Sequence, residues 1–325
     1  MEIKKIVIAG AGTMGYSMAQ IFAKYNYDVT IYDLKAEAIE NAKKRIKENT
    51  QILIQDQELT SEQEKLLHQH LKYTTDKECF KNCNLVVESI IEKVEIKQSF
   101  YQEISRLVRE DTILATNTSG ISINTLASAV YKPERFIGMH WFNPSHLILL
   151  IEIIKGDKTL DTVAQAIKEL SIHIGKKPVI VQKDVLGFAA NRIQFAVLRE
   201  ALYLVEQGVI SKEDIDAVMK YGLGFRYACL GPLEVADFGG LDTFYHISDY
   251  LMKDLCNDTK VPSELAKLYE EGHLGIKSQQ GFYDYHDGKD HQAIKNRDEH
   301  LLKIYNALYK SVSYTHLRAH ETRRH

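Results

Sequence analysis

The chain has 325 residues, a net charge of −3, 45% hydrophobic residues and 26% charged residues. This length predicts two domains, because a single hydrophobic core rarely extends beyond about 300 residues. The near-neutral charge provides no general attraction for nucleic acid, and no stretch approaches the roughly 20 apolar residues of a membrane span. We therefore expect a cytoplasmic protein with neither nucleic acid nor membrane as a partner.

Short apolar runs alternate with helical stretches through the first half of the chain. Residues 3–9 form a β-branched run, 14–24 a helix and 28–32 a second apolar run, which together make a β–α–β unit. The first run is too short, and too soon interrupted by glycines, to be a signal peptide. Further predicted strands are 85–87, 112–115, 136–139, 149–154 and 178–181. This order predicts an α/β fold, a Rossmann-like doubly wound parallel sheet with crossover helices, over residues 1–183.

Residues 35–70 are a polar insertion between two strands, and their Lys, Glu and Gln content predicts a projecting pair of helices. Beyond the last strand the pattern is helical only, and the predicted helices are 188–207, 212–221, 232–256 and 262–271, followed by a turn at 281–285. We expect residues 184–310 to form an all-helical domain that carries substrate and homodimer contacts, because its apolar helices are too many for one small core. Residues 311–325 lack an apolar stripe, and we expect a non-native or disordered tail without function.

The four cysteines have no spacing that indicates a metal site. Cys79, Cys83, Cys229 and Cys256 lack the CxxC pattern and a companion histidine pattern, so we expect no metal.

A glycine-rich turn directly follows the first predicted strand and opens a helix. Its sequence is Gly10-Ala-Gly12-Thr13-Met14-Gly15, which matches the dinucleotide fingerprint GxGxxG. Gly10 permits the tight turn, Gly12 lets the backbone approach a pyrophosphate, and Gly15 lets helix and strand pack closely. The alternative is an ordinary strand-to-helix turn, but the surrounding β–α–β unit favours a nicotinamide dinucleotide.

Asp33 ends the second strand, about 20 residues beyond the glycines, where its carboxylate can accept hydrogen bonds from both ribose hydroxyls. A 2′-phosphate would be repelled there, and no arginine lies nearby, although Lys35 is close in sequence. Asp33 therefore indicates NAD rather than NADP. The alternative for Asp33 is a solvated residue that caps the following helix.

A histidine and a glutamate predict the acid/base chemistry. His140 ends a predicted strand, and Glu152 lies within the apolar run 147–154. A buried carboxylate needs a partner, since an unpaired one would cost several kcal/mol or be protonated. A histidine held by that carboxylate can take the proton of an alcohol. The alternative is a structural core histidine. Asn117 and Ser119 follow a neighbouring strand, at the sheet edge where ligands bind.

An ordered series of motifs over residues 2–290 resembles the 3-hydroxyacyl-CoA dehydrogenase family: NTSGISI, RFIGMHWFNP, LIEIIKG, GKKPVIVQKD, GFAANR, ISKEDIDAVMKYGLG and GPLEVADFGGLD. The resemblance implies that His140 is the catalytic base, Glu152 its orienting partner, and Ser119 and Asn191 the groups that bind the reacting oxygen. Both of the latter residue types are also common helix caps. The cofactor set that it implies adds Glu92, Lys97, Asn117 and Asn143 to the glycine motif and Asp33. It also implies that the helical domain forms a homodimer contact.

Departures from the family pattern affect the predicted substrate. Val185 and Leu186 precede Gly187 where many members have a proline, and the segment 145–150 is more apolar than usual. In the family the projecting helices help to hold CoA, whose phosphates require cations. Here Lys43, Lys44, Arg45 and Lys47 are available, but residues 49–64 contain four acids and neither Lys nor Arg.

The leading hypothesis is an NAD-dependent enzyme of fatty acid metabolism that interconverts a short-chain 3-hydroxyacyl-CoA and the 3-ketoacyl-CoA. One alternative is a dehydrogenase of a free hydroxy acid, of the gulonate or carnitine dehydrogenase kind, which shares the His–Glu pair but needs no CoA groove. The other is a non-catalytic, crystallin-like NAD-binding protein. The presence of Ser119, His140, Glu152 and Asn191 argues against the second alternative.

Overall fold

The computed structural model describes residues 2–55 and 59–310. The chain divides into two compact units, the first ending at Arg192 and the second beginning at Ile193. The boundary predicted from the sequence lies earlier in the chain, after residue 183. The prediction for residues 311–325 lies outside the described residues.

An eight-stranded sheet forms the centre of the first unit, in the order β3-β2-β1-β4-β5-β6-β7-β8. Its strands are β1 (Lys5–Ala9), β2 (Asp28–Tyr32), β3 (Leu71–Thr74), β4 (Leu85–Glu88), β5 (Ile113–Thr116), β6 (Phe136–Trp141), β7 (Leu150–Ile154) and β8 (Lys177–Val181). The predicted Rossmann-like class is confirmed, and the short edge strand β3 is an addition to it. The sheet is parallel, as predicted, except at one place, where β6 and β7 pair antiparallel. Residues 142–149 between them are too few for a crossover, which needs about a dozen residues.

Helices cover both faces of the sheet. In the first unit they are α1 (Thr13–Lys24), α2 (Ala36–Gln55), α3 (Ser61–Gln69), α4 (Val94–Leu107), α5 (Ile123–Ala127) and α6 (Asp161–His173), with short 3-10 helices at Lys77–Asn82 and Pro133–Arg135. One apolar core contains side chains of α1, α2 and α6, and the other contains side chains of α4 and α5. The helices α2 and α3 occupy the polar insertion, as the sequence predicts.

The second unit is helical, as expected. Its helices are α7 (Ala190–Glu206, which begins in the first unit), α8 (Lys212–Val218), α9 (Gly224–Tyr227), α10 (Pro232–Gly239), α11 (Leu241–Leu251), α12 (Ser263–Glu270) and α13 (Lys289–Tyr305), with π-helical turns at Met219–Leu223 and Asn306–Lys310. The predicted helix 232–256 is two helices, because Gly240 adopts a φ of 88° between them. Among the described residues, no helix combines the length and apolarity needed to cross a membrane.

Candidate active site

The antiparallel pairing of β6 and β7 brings His140 directly opposite Glu152. Nδ1 of His140 lies 2.9 Å from Oε2 of Glu152, and both side chains are buried. Because a carboxylate only accepts hydrogen bonds, this contact places a proton on Nδ1 and leaves Nε2 as the nitrogen that can take a proton. The rings of Phe142 and Phe188 lie 4.3 and 5.7 Å from the imidazole ring and cover it with apolar surface.

The second oxygen of Glu152 binds the start of helix α7. Oε1 accepts hydrogen bonds from the backbone amides of Ala189 and Ala190, each at 2.9 Å. Burial raises the pKa of Glu152, whereas the hydrogen bonds from His140 and from these two amides lower it. The lowering effect is larger, so the pKa of Glu152 lies below its ordinary value. The carboxylate is therefore held in its charged form, which stabilises a protonated imidazole beside it.

The first turn of α7 also provides Asn191, which forms a hydrogen bond with Ser119. Nδ2 of Asn191 donates to the backbone oxygen of Ser119 at 2.7 Å, and the amide of Ser119 donates to Oε1 of Glu92 at 3.0 Å. The Ser119 side chain is exposed. Asn191 directly follows Ala190. The start of α7 therefore contacts both the acid/base pair and the loop between β5 and α5, residues 117–122, which is called the Ser119 loop below.

A buried carboxylate to which the sequence analysis gives no role lies beside this loop. Glu88, the last residue of β4, is fully buried, and its carboxylate accepts four hydrogen bonds, from Lys97, the Ile90 amide, Tyr101 and Thr116. Nζ of Lys97 also lies 3.1 Å from Oε2 of Glu92. Glu152 was singled out as an acid within an apolar run, and Glu88, which directly follows the apolar run 85–87, could have been identified in a similar way.

The charge on Glu92 is maintained by its neighbours. Burial raises the pKa of this carboxyl group, but the Thr118 hydroxyl, Lys97 and the Ser119 amide lower it to below its ordinary value. The predicted cofactor residues Glu92 and Lys97 thus form one ionic cluster with Glu88, next to the Ser119 loop.

The three glycines of the glycine motif, two before α1 and one within it, have different surroundings. A Cβ on Gly10, whose φ is 108°, would lie 2.4 Å from the Ser89 oxygen, and a Cβ on Gly15 would lie 1.8 Å from the Gly10 oxygen. A Cβ on Gly12 would meet no atom within 4 Å. In the described part of the chain, no side chain caps the first turn of α1, where Thr13 and Met14 lie. Open space at a helix N-terminus fits a pyrophosphate.

Asp33 is fixed beside this space. Its Oδ2 accepts a hydrogen bond from the Ala11 amide and its Oδ1 one from the Lys35 amide, both at 2.9 Å. Each oxygen keeps a second lone pair for a ribose hydroxyl. These residues fit NAD, which would contact Gly12 through its pyrophosphate and Asp33 through its ribose.

The two remaining predicted residues lie near the ends of β5 and β6. Oδ1 of Asn117 accepts a hydrogen bond from the Trp141 amide at 2.8 Å and so connects the two strands. Asn143 is exposed in the segment 142–149, before a cis peptide bond to Pro144. No group of three or more potential metal ligands is present among the described residues.

Comparison with known proteins agrees with this geometry. Residues 5–185 match the 3-hydroxyacyl-CoA dehydrogenase, NAD binding domain, and residues 187–285 match the C-terminal domain of the same family. The chain belongs to the 3-hydroxyacyl-CoA dehydrogenase family. It is thus an NAD-binding oxidoreductase, as the glycine motif and Asp33 predict.

Two relatives within the family have different named substrates. A probable 3-hydroxybutyryl-CoA dehydrogenase of Deinococcus radiodurans is 39% identical over 86% of this chain and 100% of its own length. A 5-formyl-3-hydroxy-2-methylpyridine 4-carboxylate 5-dehydrogenase of Mesorhizobium japonicum is 38% identical over 87% of this chain and 91% of its own length.

Solved structures show the same two names. The crystal structure of a 5-formyl-3-hydroxy-2-methylpyridine 4-carboxylic acid 5-dehydrogenase, described as an NAD⁺-dependent dismutase, has a TM-score of 0.87 at 35% identity and covers 94% of this chain and 99% of its own. The (S)-3-hydroxybutyryl-CoA dehydrogenase of Ralstonia eutropha has a TM-score of 0.74 at 33% identity, with 87% and 99% covered.

Proposed function

We propose that the protein interconverts a short-chain 3-hydroxyacyl-CoA and the corresponding 3-ketoacyl-CoA, with His140 and Glu152 as the acid/base pair. The observation that carries this proposal is the cross-strand contact between Nδ1 of His140 and Oε2 of Glu152, at 2.9 Å. The charged carboxylate fixes the tautomer in which Nε2 can exchange a proton with a substrate oxygen.

In the oxidative direction, Nε2 of His140 takes the proton of the substrate hydroxyl while the hydride leaves the carbon that carries this hydroxyl. Bound NAD supplies the hydride acceptor. Glu152 stabilises the resulting imidazolium, and its two backbone hydrogen bonds hold it in place. Ser119 and Asn191 donate hydrogen bonds to the reacting oxygen. Glu92, Lys97, Asn117 and Asn143 complete the cofactor side, and His140 returns its proton to the oxygen in the reductive direction.

A second candidate is a free carboxylate substrate. The cations expected to bind CoA phosphates are partly engaged by acids, since Nζ of Lys43 lies 2.6 Å from Glu40 and Arg45 lies 3.5 Å from Glu48. In addition, the name of the Mesorhizobium relative describes action on a pyridine carboxylate rather than a thioester. The Lys44–Glu48 distance of 3.9 Å is looser, and exposed ion pairs of this type are weak enough for a phosphate to displace.

Oxidation of NADH decides between the two candidates. We expect turnover with acetoacetyl-CoA and little with free acetoacetate or with 5-formyl-3-hydroxy-2-methylpyridine 4-carboxylate. The double variant Lys43→Ala/Arg45→Ala should have a higher KM for acetoacetyl-CoA and an unchanged kcat. Turnover of a free carboxylate alone would favour the second candidate, and the His140→Gln variant controls for a contaminating reductase.

We also propose that the second unit forms a homodimer contact. Five large apolar side chains in it are between 71% and 82% exposed: Tyr221, Phe225, Leu233, Phe238 and Tyr245. Exposed large apolar side chains often mark a contact with another protein chain, and a two-fold dimer is the commonest closed assembly. Light scattering should give the dimer mass for the wild type and a lower mass for Phe238→Asp. Ile172→Asp, at an exposed position of the first unit, serves as the control. A monomeric wild type would contradict the proposal.

A further inference from the structure

Lys176 is a buried cation held by backbone oxygens. It precedes β8 and is 5% exposed. Its Nζ donates hydrogen bonds to the backbone oxygens of Ser145 at 2.5 Å and Ile148 at 2.8 Å. The same nitrogen lies 5.5 Å from the centre of the Trp141 ring, within the range of a cation–π contact.

A buried lysine usually has an acidic partner, since an uncompensated charge is costly to bury. In the part of the chain that the structure describes, the ammonium of Lys176 contacts two backbone oxygens and an aromatic ring, and no acid forms an ion pair with it. Burial alone lowers the pKa of Lys176 to about 8. The protein thus retains a destabilising charge at this position, which indicates that the ammonium has a task there.

The two backbone oxygens belong to the segment that joins the proposed acid and base. Residues 142–149 connect β6, which carries His140, to β7, which carries Glu152. Within this segment, the Leu147 and Ile148 amides donate to the Pro144 oxygen at 3.1 and 3.0 Å. The Ser145 hydroxyl lies 2.5 Å from that of Ser17 on α1, the helix that begins within the glycine motif. The connecting segment, residues 142–149, therefore links the cofactor helix to both catalytic strands.

We infer that Lys176 is a positioning residue: its ammonium fixes the connecting segment and thereby the alignment of His140 with Glu152. Lys176 does not act by direct contact, because it lies against Trp141, whose side chain points to the sheet face opposite that of the preceding His140. This inference rests on the proposed function for its catalytic consequence. The hold of the ammonium on the connecting segment does not depend on it.

Other titratable side chains surround this position. His146 lies in the connecting segment, His173 ends α6, Tyr25 follows α1 and Lys177 begins β8. A pH-dependent transition is therefore assigned to Lys176 only where it disappears in a Lys176 variant.

The first experiment uses Trp141, the only tryptophan of the chain, as a reporter of the ammonium beside it. Its fluorescence should change through a transition near pH 8 in the cofactor-free wild type. The transition should be absent in Lys176→Met and unchanged in Lys177→Met, which alters the adjacent exposed lysine. A wild type without this transition, or a Lys176→Met variant that retains it, would overturn the inference, whichever substrate the enzyme uses.

The second experiment compares turnover at several pH values with a substrate that the enzyme reduces. At pH 7, Lys176→Met should lower kcat roughly 10- to 100-fold, the effect of a small misalignment of catalytic groups, with an unchanged Kd for NADH. The ratio of wild-type kcat to variant kcat should fall as the pH rises through about 8, which cancels titrations common to both proteins. Circular dichroism checks that the variant is folded. An equal kcat, or a ratio that is constant with pH, would contradict the inference.

Discussion

Position 12 allows cofactor binding to be tested separately from folding. A Cβ on Gly12 would meet no atom within 4 Å, and the backbone there, with φ −69° and ψ −173°, suits any residue. Gly12→Ala should therefore change the free energy of unfolding by no more than about 1 kcal/mol. The methyl group would occupy the space where a pyrophosphate approaches α1. We expect Kd for NADH to rise at least about 10-fold, a loss of about 1.4 kcal/mol.

Gly15 provides the matched comparison. A Cβ on Gly15 would lie 1.8 Å from the Gly10 oxygen, so the strand and the helix must separate. Overpacking of this kind costs about 1–3 kcal/mol, which lowers Tm by roughly 2–4 °C for each kcal/mol in a domain of this size.

The assays are thermal unfolding of the cofactor-free variants and a fluorescence titration with NADH. We expect Gly12→Ala to keep the wild-type Tm and lose affinity, and Gly15→Ala to lose Tm. Wild-type affinity in Gly12→Ala would show that the pyrophosphate does not approach the chain at this glycine. A Tm loss in Gly12→Ala as large as that in Gly15→Ala would refute the reasoning about open space.

Three further predictions concern single charged groups. Asp33 should make NADH bind at least about 10-fold tighter than NADPH, and equal Kd values for the two in a binding titration would contradict this role. Lys97→Met should lower the free energy of unfolding by about 3–5 kcal/mol in urea unfolding, because it leaves the buried Glu88 without its cation. A loss under 1 kcal/mol would show that the Glu88 carboxylate does not require this cation. Since the pKa of Lys176 falls from 10.5 to about 8 on folding, the folded state binds fewer protons between these values. The wild type should therefore gain up to about 3 kcal/mol relative to Lys176→Met as pH rises from 8 to 10.5, and a difference that is constant with pH would exclude this pKa.

Local sequence patterns predicted the features that depend on local chemistry. The β–α–β unit and the glycine turn were readable because strand periodicity and the turn requirements lie within about 30 adjacent residues. The pairing of His140 with Glu152 was readable because an acid inside an apolar run requires a partner. Their position directly opposite each other on β6 and β7 could not be predicted, since the apolar runs do not show that these two strands are antiparallel.

Other features depend on contacts between distant parts of the chain. Strand β3 is an edge strand that pairs along one side with β2, and it is only partly buried. Its sequence, LKYT, therefore lacks the continuous apolar run that marks the buried strands. Lys176 and Lys177 are adjacent and alike in sequence, yet one is buried and the other exposed. Only the tertiary packing against Trp141 distinguishes them. Glu88 could have been recognised as an acid at the end of an apolar run, but its pairing with Lys97 could not, because Lys97 lies on the following helix at no characteristic spacing.

The central claim is that His140 and Glu152 act as one acid/base unit, and steady-state turnover of His140→Gln, Glu152→Gln and the double variant tests it most directly. Each single variant should bind NADH almost as the wild type does, while kcat falls by a factor on the order of 10²–10⁴. The double variant should be little worse than the worse single variant, because the two residues form one functional unit. Near-wild-type turnover in His140→Gln would contradict the mechanism, and fully additive losses would show that the two residues act independently.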